Sequence, residues 1–436
     1  MLQSKQLNMP HIEVAGSGDG FSGTSLITSF RNTRKLSNDL AAPLSPEDQV
    51  VQAMPDASPT KWHLAHVTWF FETFILLPHS PNYIVFDERF TFLFNSYYEA
   101  VGARHARTDR GLLTRPRLGE VMRYRQHVDT GMESLLAHGS YDGKVEKLTE
   151  LGINHEQQHQ ELMLMDILNL FSRNPLRPSY ATTVLTFSAG SRRENWLEFE
   201  GGLYEVGFNG AGFAFDHEGP RHKVFVDPFL IANALVTNQE WLVFMADGGY
   251  ERAELWLSDG IATARTHDWR APLYWYSDDG IDWRQMTLHG ERPINPEDPV
   301  GHVSYFEADA YSRWAGKRLP SETEWEIAAE RHMPRGNTLG SAFLHPLPVG
   351  AENGGPGQFF GDLWEWTSSP YIAYPGYRTP EGAVGEYNGK FMSGQMVLRG
   401  GACVTPDGHI SATYRNFFQP HQRWAFSGMR LAEDLI

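Results

Sequence analysis

This sequence changes character near residue 173. Before it, four segments repeat apolar residues at helical spacing; after it come short strands, many glycines and most of the tryptophans. The sequence therefore predicts an α+β protein in two domains, and 436 residues leave room for each to bury its own core.

The helical segments fall at about residues 25–40, 59–78, 118–137 and 144–171. The second is opened by Ser58-Pro59, read as an N-cap followed by proline at the first helical position, and is expected to stop at Pro78. Four helices in the first 175 residues predict a four-helix bundle. Its connection from Pro78 to Pro116 is too long for a plain bundle turn and too aromatic to be idle chain. Residues 1–23 are rich in Gly and Ser and read as a flexible N-terminal segment, 24–175 as the bundle, 176–195 as a linker and 196–436 as the second domain. Within the last, two helices are expected, at about 304–315 and 321–331. The latter is opened by a Ser321/Glu324 capping box.

Composition narrows the function. Lys and Arg total 37 against 53 Asp and Glu, a net charge of −16, which repels phosphate backbones and anionic lipid. Neither nucleic acid nor membrane is an expected partner. The most apolar run, 69–77, is short and interrupted by Glu72, and the N-terminus lacks a signal-peptide core. A single cysteine, Cys403, excludes an intramolecular disulfide, a cysteine-ligated zinc and a two-cysteine redox centre. A cytoplasmic location is the expectation, and oligomeric state is left open.

The fourth helix carries His155-Glu156-Gln157-Gln158-His159-Gln160-Glu161. Histidines four apart project from one helical face and can share a metal; the plainer reading is a polar surface stripe. This stretch runs straight into an apolar one, so the helix must be entering a core. The second helix offers either a third ligand or a core histidine bonded to a backbone carbonyl: His66 shares the inward face with Trp62, Trp69 and Phe70, His63 is turned nearer solvent, and spacing prefers His66 only weakly. Three neutral imidazoles leave an open coordination face. Zinc there would activate water, with Glu156 as the base of a literal H-E-x-x-H match; ferrous iron would reduce oxygen. Glu161 lies off the histidine face and is expected to support the ligands rather than join them. In the long loop, Tyr97 and Tyr98 can donate protons or simply pack. Arg107 and Arg110 suit a substrate carboxylate, or solvent.

Together, His66, the His155–Glu161 run and the Asn95-Ser96-Tyr97-Tyr98 loop resemble the ergothioneine-pathway non-haem iron sulfoxide synthases of the EgtB type. These join a DinB-like four-helix bundle to a formylglycine-generating-enzyme-like domain of C-type-lectin fold. The second half matches that fold at Trp314-Ala315-Gly316-Lys317-Arg318-Leu319-Pro320, Asp362-Leu363-Trp364-Glu365-Trp366 and Leu398-Arg399-Gly400-Gly401. The resemblance implies Fe(II) held by His66, His155 and His159, with O2 as co-substrate. It implies hercynine, the trimethylated histidine, held by Gln158, Asn416 and Phe417, and a thiol substrate near Arg107, Arg110 and Phe418. Two departures stand out. Phe418 replaces an aspartate of the subgroup that uses γ-glutamylcysteine, and Val384 replaces the first phenol of that subgroup's Tyr-x-x-Tyr pair, leaving Tyr387. Adjacent Tyr97 and Tyr98 match instead a subgroup that uses free cysteine. The expected reaction is oxidative C–S bond formation between hercynine and cysteine to a sulfoxide, with Tyr97 or Tyr98 as the catalytic phenol. The alternatives are γ-glutamylcysteine as the thiol, or a zinc-dependent DinB-like hydrolase or thiol transferase. Formylglycine chemistry, which needs a cysteine pair, does not fit Cys403 alone.

Overall fold

The computed structural model describes residues 23–137, 142–182, 195–210, 212–350, 356–381, 385 and 387–435. The expected flexible segment 1–23 thus lies outside the described residues apart from Gly23, as does the linker over 183–194, and as does Val384.

Four long helices build the N-terminal half: α1 (Gly23–Ala41), α2 (Thr60–Phe71), α3 (Leu118–Ala137) and α4 (Gly143–Arg173). Asp142 caps α4 by accepting from the backbone N–H groups of Lys144 and Val145, and Glu146 and Arg173 complement its dipole at the two ends. The start of α2 differs from expectation. Pro59, not Ser58, is the N-cap residue, and no side chain caps the helix. Ser58 is drawn into tertiary bonds instead: its N–H donates to Asp166 Oδ2 (2.8 Å) and its hydroxyl accepts from Arg110 Nη1 (2.9 Å). Nor does the helical path end at Pro78. It runs one residue further, passing through a π turn, Glu72–Leu76, into Leu77–His79 with Leu76 and Leu77 in helical dihedrals, and stops at Ser80.

A buried polar cluster ties the four helices together. Glu156 of α4 accepts from Arg34 Nη1 (2.8 Å) and Ser37 Oγ (2.6 Å) of α1 and from Arg125 Nη2 (3.1 Å) of α3. Thr68 of α2 accepts from both arginines. Burial alone would raise the Glu156 carboxyl, but the two guanidiniums prevail and hold it at about 2.

The C-terminal half consists of small sheets and short helices. Strands β1 (Trp196–Phe199), β4 (Phe229–Ala232) and β12 (Ala432–Asp434) form one antiparallel sheet, and β2 (Gly202–Val206) pairs with β3 (His222–Val226). Strands β5 (Trp275–Tyr276), β6 (Arg284–Thr287) and β7 (Gly290–Pro293) form a third sheet. The fourth, in the order β10-β9-β8-β11, comprises β8 (Trp364–Pro370), β9 (Met396–Arg399), β10 (Asn416–Phe418) and β11 (Ser427–Gly428). Edge strand β10 is held to β9 with Phe417 opposite Val397. Two helices beyond the expected pair are present: α5 (Asn238–Ala246) and α6 (Ser258–Thr266) precede α7 (Tyr305–Trp314) and α8 (Glu322–Ala329). Helix α5 has its own Thr237/Glu240 capping box, and both extra helices are only 9 residues long, too short to show a clear apolar period.

Buried ion pairs account for the arginine- and glutamate-bearing motifs of this half. Arg430 pairs with Glu365, Arg415 with Glu322, and Arg399 with Glu326. Gly400, at φ +101°, packs where a Cβ would stand 2.6 Å from the Phe359 carbonyl oxygen, so the turn after Arg399 requires glycine.

One helix joins the halves. Along α4, Gln158 donates to Tyr414 Oη (2.7 Å), Glu161 accepts from Trp364 Nε1 (2.5 Å) and Thr405 Oγ1 (2.6 Å), and Asp166 accepts from Trp424 Nε1 (3.2 Å). The polar run that reads as a possible surface stripe is thus an interface between the two halves. Among the described residues, no helix is long and apolar enough to cross a membrane.

Candidate metal centre and substrate cavity

His66 enters the bundle interior from α2, and His155 and His159 face it from α4. One ring nitrogen from each lies within 4.8 Å of the others. The rings pack edge to face, with centroids 5.0 Å apart for His66–His155, 4.8 Å for His66–His159 and 4.6 Å for His155–His159. Burial holds His66 and His159 well below the ordinary histidine range, reinforced by the neighbouring imidazoles, and lowers His155 to about 3. Neutral imidazole is the form that ligates a metal. Both ring nitrogens of His155 are buried without a hydrogen-bond partner, a costly arrangement for a histidine that has no ligand to bind. The donor set suits a borderline divalent ion such as iron or zinc.

The cluster opens on a cavity of about 630 Å³ between the two halves. His155, Gln158, His159, Tyr97, Arg107 and Arg110 reach it from the helical half; Asn416, Phe417 and Phe418 reach it from β10. These nine expected site residues are therefore brought together. His66 stands behind the wall, and Tyr98 turns away. Tyr98 is fully buried and packs on Trp69 (5.6 Å) and Phe74 (5.1 Å), stacked behind Tyr97 (4.6 Å).

Around the cavity the polar groups are firmly held. The Gln158 amide oxygen accepts from Tyr387 Oη while its nitrogen donates to Tyr414, which fixes the amide plane. Phe417 stacks on Tyr371 with centroids 4.0 Å apart, and Phe418 meets Trp424 edge to face. Arg110 is 3% exposed and lies flat on Trp62, its carbon 3.4 Å from the ring centroid. It donates to Ser58 and Ser96, its Nε has no partner, and among the described residues no carboxylate is within ion-pair distance. Burial and the nearby Arg107 charge lower its proton affinity, so the site favours an incoming anion.

Several site residues escape the sequence reading. His63 is not near solvent but 3% exposed, with Nδ1 2.7 Å from His159 Nδ1 and Nε2 3.0 Å from Asp166 Oδ2. The helical wheel treats α2 as facing one core, whereas its second face lines the cavity. Asp56, which belongs to no motif, borders the cavity, and its carbonyl accepts from Arg107 Nη2 at 2.5 Å. Tyr387 and Tyr414 are wall residues as well. Glu156, by contrast, does not border the cavity; locked between Arg34 and Arg125, it is no base for a metal-bound water. Glu161 does border the cavity, but its carboxylate is held by Trp364 and Thr405, and burial raises it to about 7.

The "Hercynine oxygenase" of Mycobacterium tuberculosis is 36% identical over 307 residues, spanning 65% of this chain and 70% of that protein. The chain belongs to the hercynine oxygenase family. These are the ergothioneine-pathway sulfoxide synthases of the EgtB type that the sequence resembles. The "Ergothioneine biosynthesis protein 1" of Schizosaccharomyces pombe is 30% identical over 238 residues, 51% of this chain and 28% of that protein. The second half carries the match to the sulfatase-modifying factor enzyme 1-like domain, over residues 186–345. The formylglycine-generating enzyme of Streptomyces coelicolor, 29% identical over 286 residues, covers 55% of this chain and 88% of its own length. The family's α+β layout, a helical half followed by a formylglycine-generating-enzyme-like half, is the one seen here.

Proposed function

We propose that this family member joins hercynine to free cysteine, with Fe(II) at His66, His155 and His159, O2 as oxidant and hercynylcysteine sulfoxide as product. An imidazole C–H and the thiol S–H break, a C–S bond and an S–O bond form, and the second oxygen atom leaves as water. Atoms and the four electrons taken from the two substrates then balance. The observation that carries the reading is the cavity itself: a three-histidine cluster at one wall, an aromatic face and a fixed amide on the others, and a buried arginine with no carboxylate within ion-pair distance among the described residues. Iron, when bound, supplies the redox centre at which oxygen is reduced beside both substrates.

The rest is done by side chains. The Gln158 amide, held by Tyr387 and Tyr414, and Asn416 orient hercynine. Phe417, backed by Tyr371, offers a ring face to the trimethylammonium group. Arg110, with Arg107 at the rim, takes the cysteine carboxylate, and the Asp56 carboxylate takes its ammonium. Tyr97 holds a proton at its Oη toward the reacting oxygen. Phe418, packed on Trp424, leaves no charge there for the ammonium at the far end of γ-glutamylcysteine, which favours cysteine. The zinc-hydrolase alternative lacks its base, because Glu156 is sequestered in the bundle.

Steady-state assays with hercynine and each thiol test the proposal. A kcat/KM for cysteine at least tenfold above that for γ-glutamylcysteine is expected; the reverse order would overturn the choice of thiol.

A further inference from the structure

The three histidines of the cluster are supported unequally. His66 Nδ1 lies 2.6 Å from the Phe94 carbonyl oxygen, an acceptor, so Nδ1 carries the hydrogen and Nε2 keeps its lone pair. His155 has no partner at either nitrogen. His159 is backed by a second imidazole and then by a carboxylate: His63 Nδ1 at 2.7 Å, and Asp166 Oδ2 3.0 Å beyond His63 Nε2.

The chemistry of this chain gives it one direction. A carboxylate only accepts, so His63 Nε2 carries the hydrogen that faces Asp166. Neutral His63 then has a lone pair at Nδ1, and the hydrogen between the two Nδ1 atoms belongs to His159. His159 is left with its lone pair at Nε2. We infer that His63 and Asp166 are positioning residues that fix the ring orientation and tautomer of His159 and raise its strength as a metal ligand. The inference rests on the three-histidine reading of the metal centre and extends it to two residues that carry no motif.

The surroundings show that Asp166 is built for this place. It is 8% exposed, and besides His63 it accepts from the Ser58 N–H (2.8 Å) and from Trp424 Nε1 (3.2 Å). Trp424 comes from the other half of the chain, so docking of the two halves completes the hydrogen bonds that hold Asp166. Ser58 in turn receives Arg110, which places the support of a metal ligand and the buried cavity cation on one scaffold. Carboxylate–imidazole support of this kind is worth about 10- to 100-fold in metal affinity.

The test is cobalt(II) binding to metal-free full-length protein under anaerobic conditions, read as a dissociation constant and as the visible d–d spectrum, with unfolding of each metal-free variant as the folding control. His63→Leu is expected to weaken binding by about 10- to 100-fold and to shift the visible bands. His63→Gln, whose amide can accept from His159 and donate to Asp166, is expected to restore most of the affinity. Should the leucine variant not fold, Asp166→Asn keeps volume while removing the charge, and about tenfold weaker binding is expected. Wild-type affinity and an unchanged spectrum in folded His63→Leu or in Asp166→Asn would overturn the relay alone. Absence of cobalt binding by the wild type would overturn the relay together with the three-histidine centre.

Discussion

Tyr97 and Tyr98 stack with their ring centroids 4.6 Å apart, yet Tyr97 borders the cavity and Tyr98 packs into the bundle against Trp69 and Phe74. Adjacent in sequence, the two phenols therefore have different work. Tyr97→Phe is expected to lower the ratio of sulfoxide to cysteine sulfinate, on the order of 10²-fold, because the proton donor at the reacting oxygen is lost. Tyr98→Phe is expected to keep the product ratio within about twofold and stability within about 1 kcal/mol of wild type. Product analysis by mass spectrometry, with urea unfolding alongside, distinguishes the two; a shifted ratio in Tyr98→Phe alone would reverse the assignment.

Among the described residues no carboxylate is within ion-pair distance of the buried Arg110, and Asp56 is a carboxylate bordering the same cavity. Replacing Arg110 by Met should raise the KM for cysteine about tenfold or more while leaving the KM for hercynine near wild type, as expected for loss of a charge-assisted bond of about 1.5–3 kcal/mol. Asp56→Asn should penalise cysteine but not 3-mercaptopropionate, which lacks the ammonium. Equal effects on both thiols would remove Asp56 from the substrate site.

Glu156 has a structural task. Glu156→Gln leaves Arg125 buried without its paired carboxylate and Arg34 with Asp129 alone, and is expected to destabilise the protein by about 3 kcal/mol, visible in urea unfolding of the metal-free form. If Glu156 were a catalytic base, the variant would keep its stability and lose only turnover.

Glu218 sets a pH dependence of stability. Its carboxyl accepts from the Phe215 N–H (2.8 Å) and Thr413 Oγ1 (2.6 Å), yet burial raises it to about 7 from an ordinary value of 4.5. As pH rises through that interval the unfolded chain releases the proton first. The contribution is therefore full below about 4.5 and lost by about 7. Unfolding free energies measured at pH 5 and pH 7.5 should fall more steeply in the wild type than in Glu218→Gln; parallel slopes would show that Glu218 does not titrate in this range.

Much of this arrangement was legible in the sequence, and the residues show why. His155 and His159 announce themselves because a four-residue spacing aligns side chains on a helix, and the helical period predicts α3 at the residues where it lies, Leu118–Ala137. The capping box at Ser321/Glu324 forms as read. What the sequence hid were choices made by tertiary contact. Ser58 has the makings of a helix cap, but Asp166 and Arg110 compete for its two polar groups and win. His63 sits on the side of α2 that an isolated bundle would expose; the C-terminal half closes over it. Asp56 and Tyr414 acquire meaning only from the cavity they border, and the two short helices α5 and α6 span too few turns to show a period.

Oxygen consumption by the iron-loaded protein bears most directly on the central claim. Metal-free protein reconstituted anaerobically with Fe(II) should, on mixing with hercynine, cysteine and oxygenated buffer, consume one O2 per sulfoxide formed, and a His155→Ala variant should consume none above background. The zinc-loaded protein should be inert. Turnover with zinc and no oxygen uptake with iron would contradict the account.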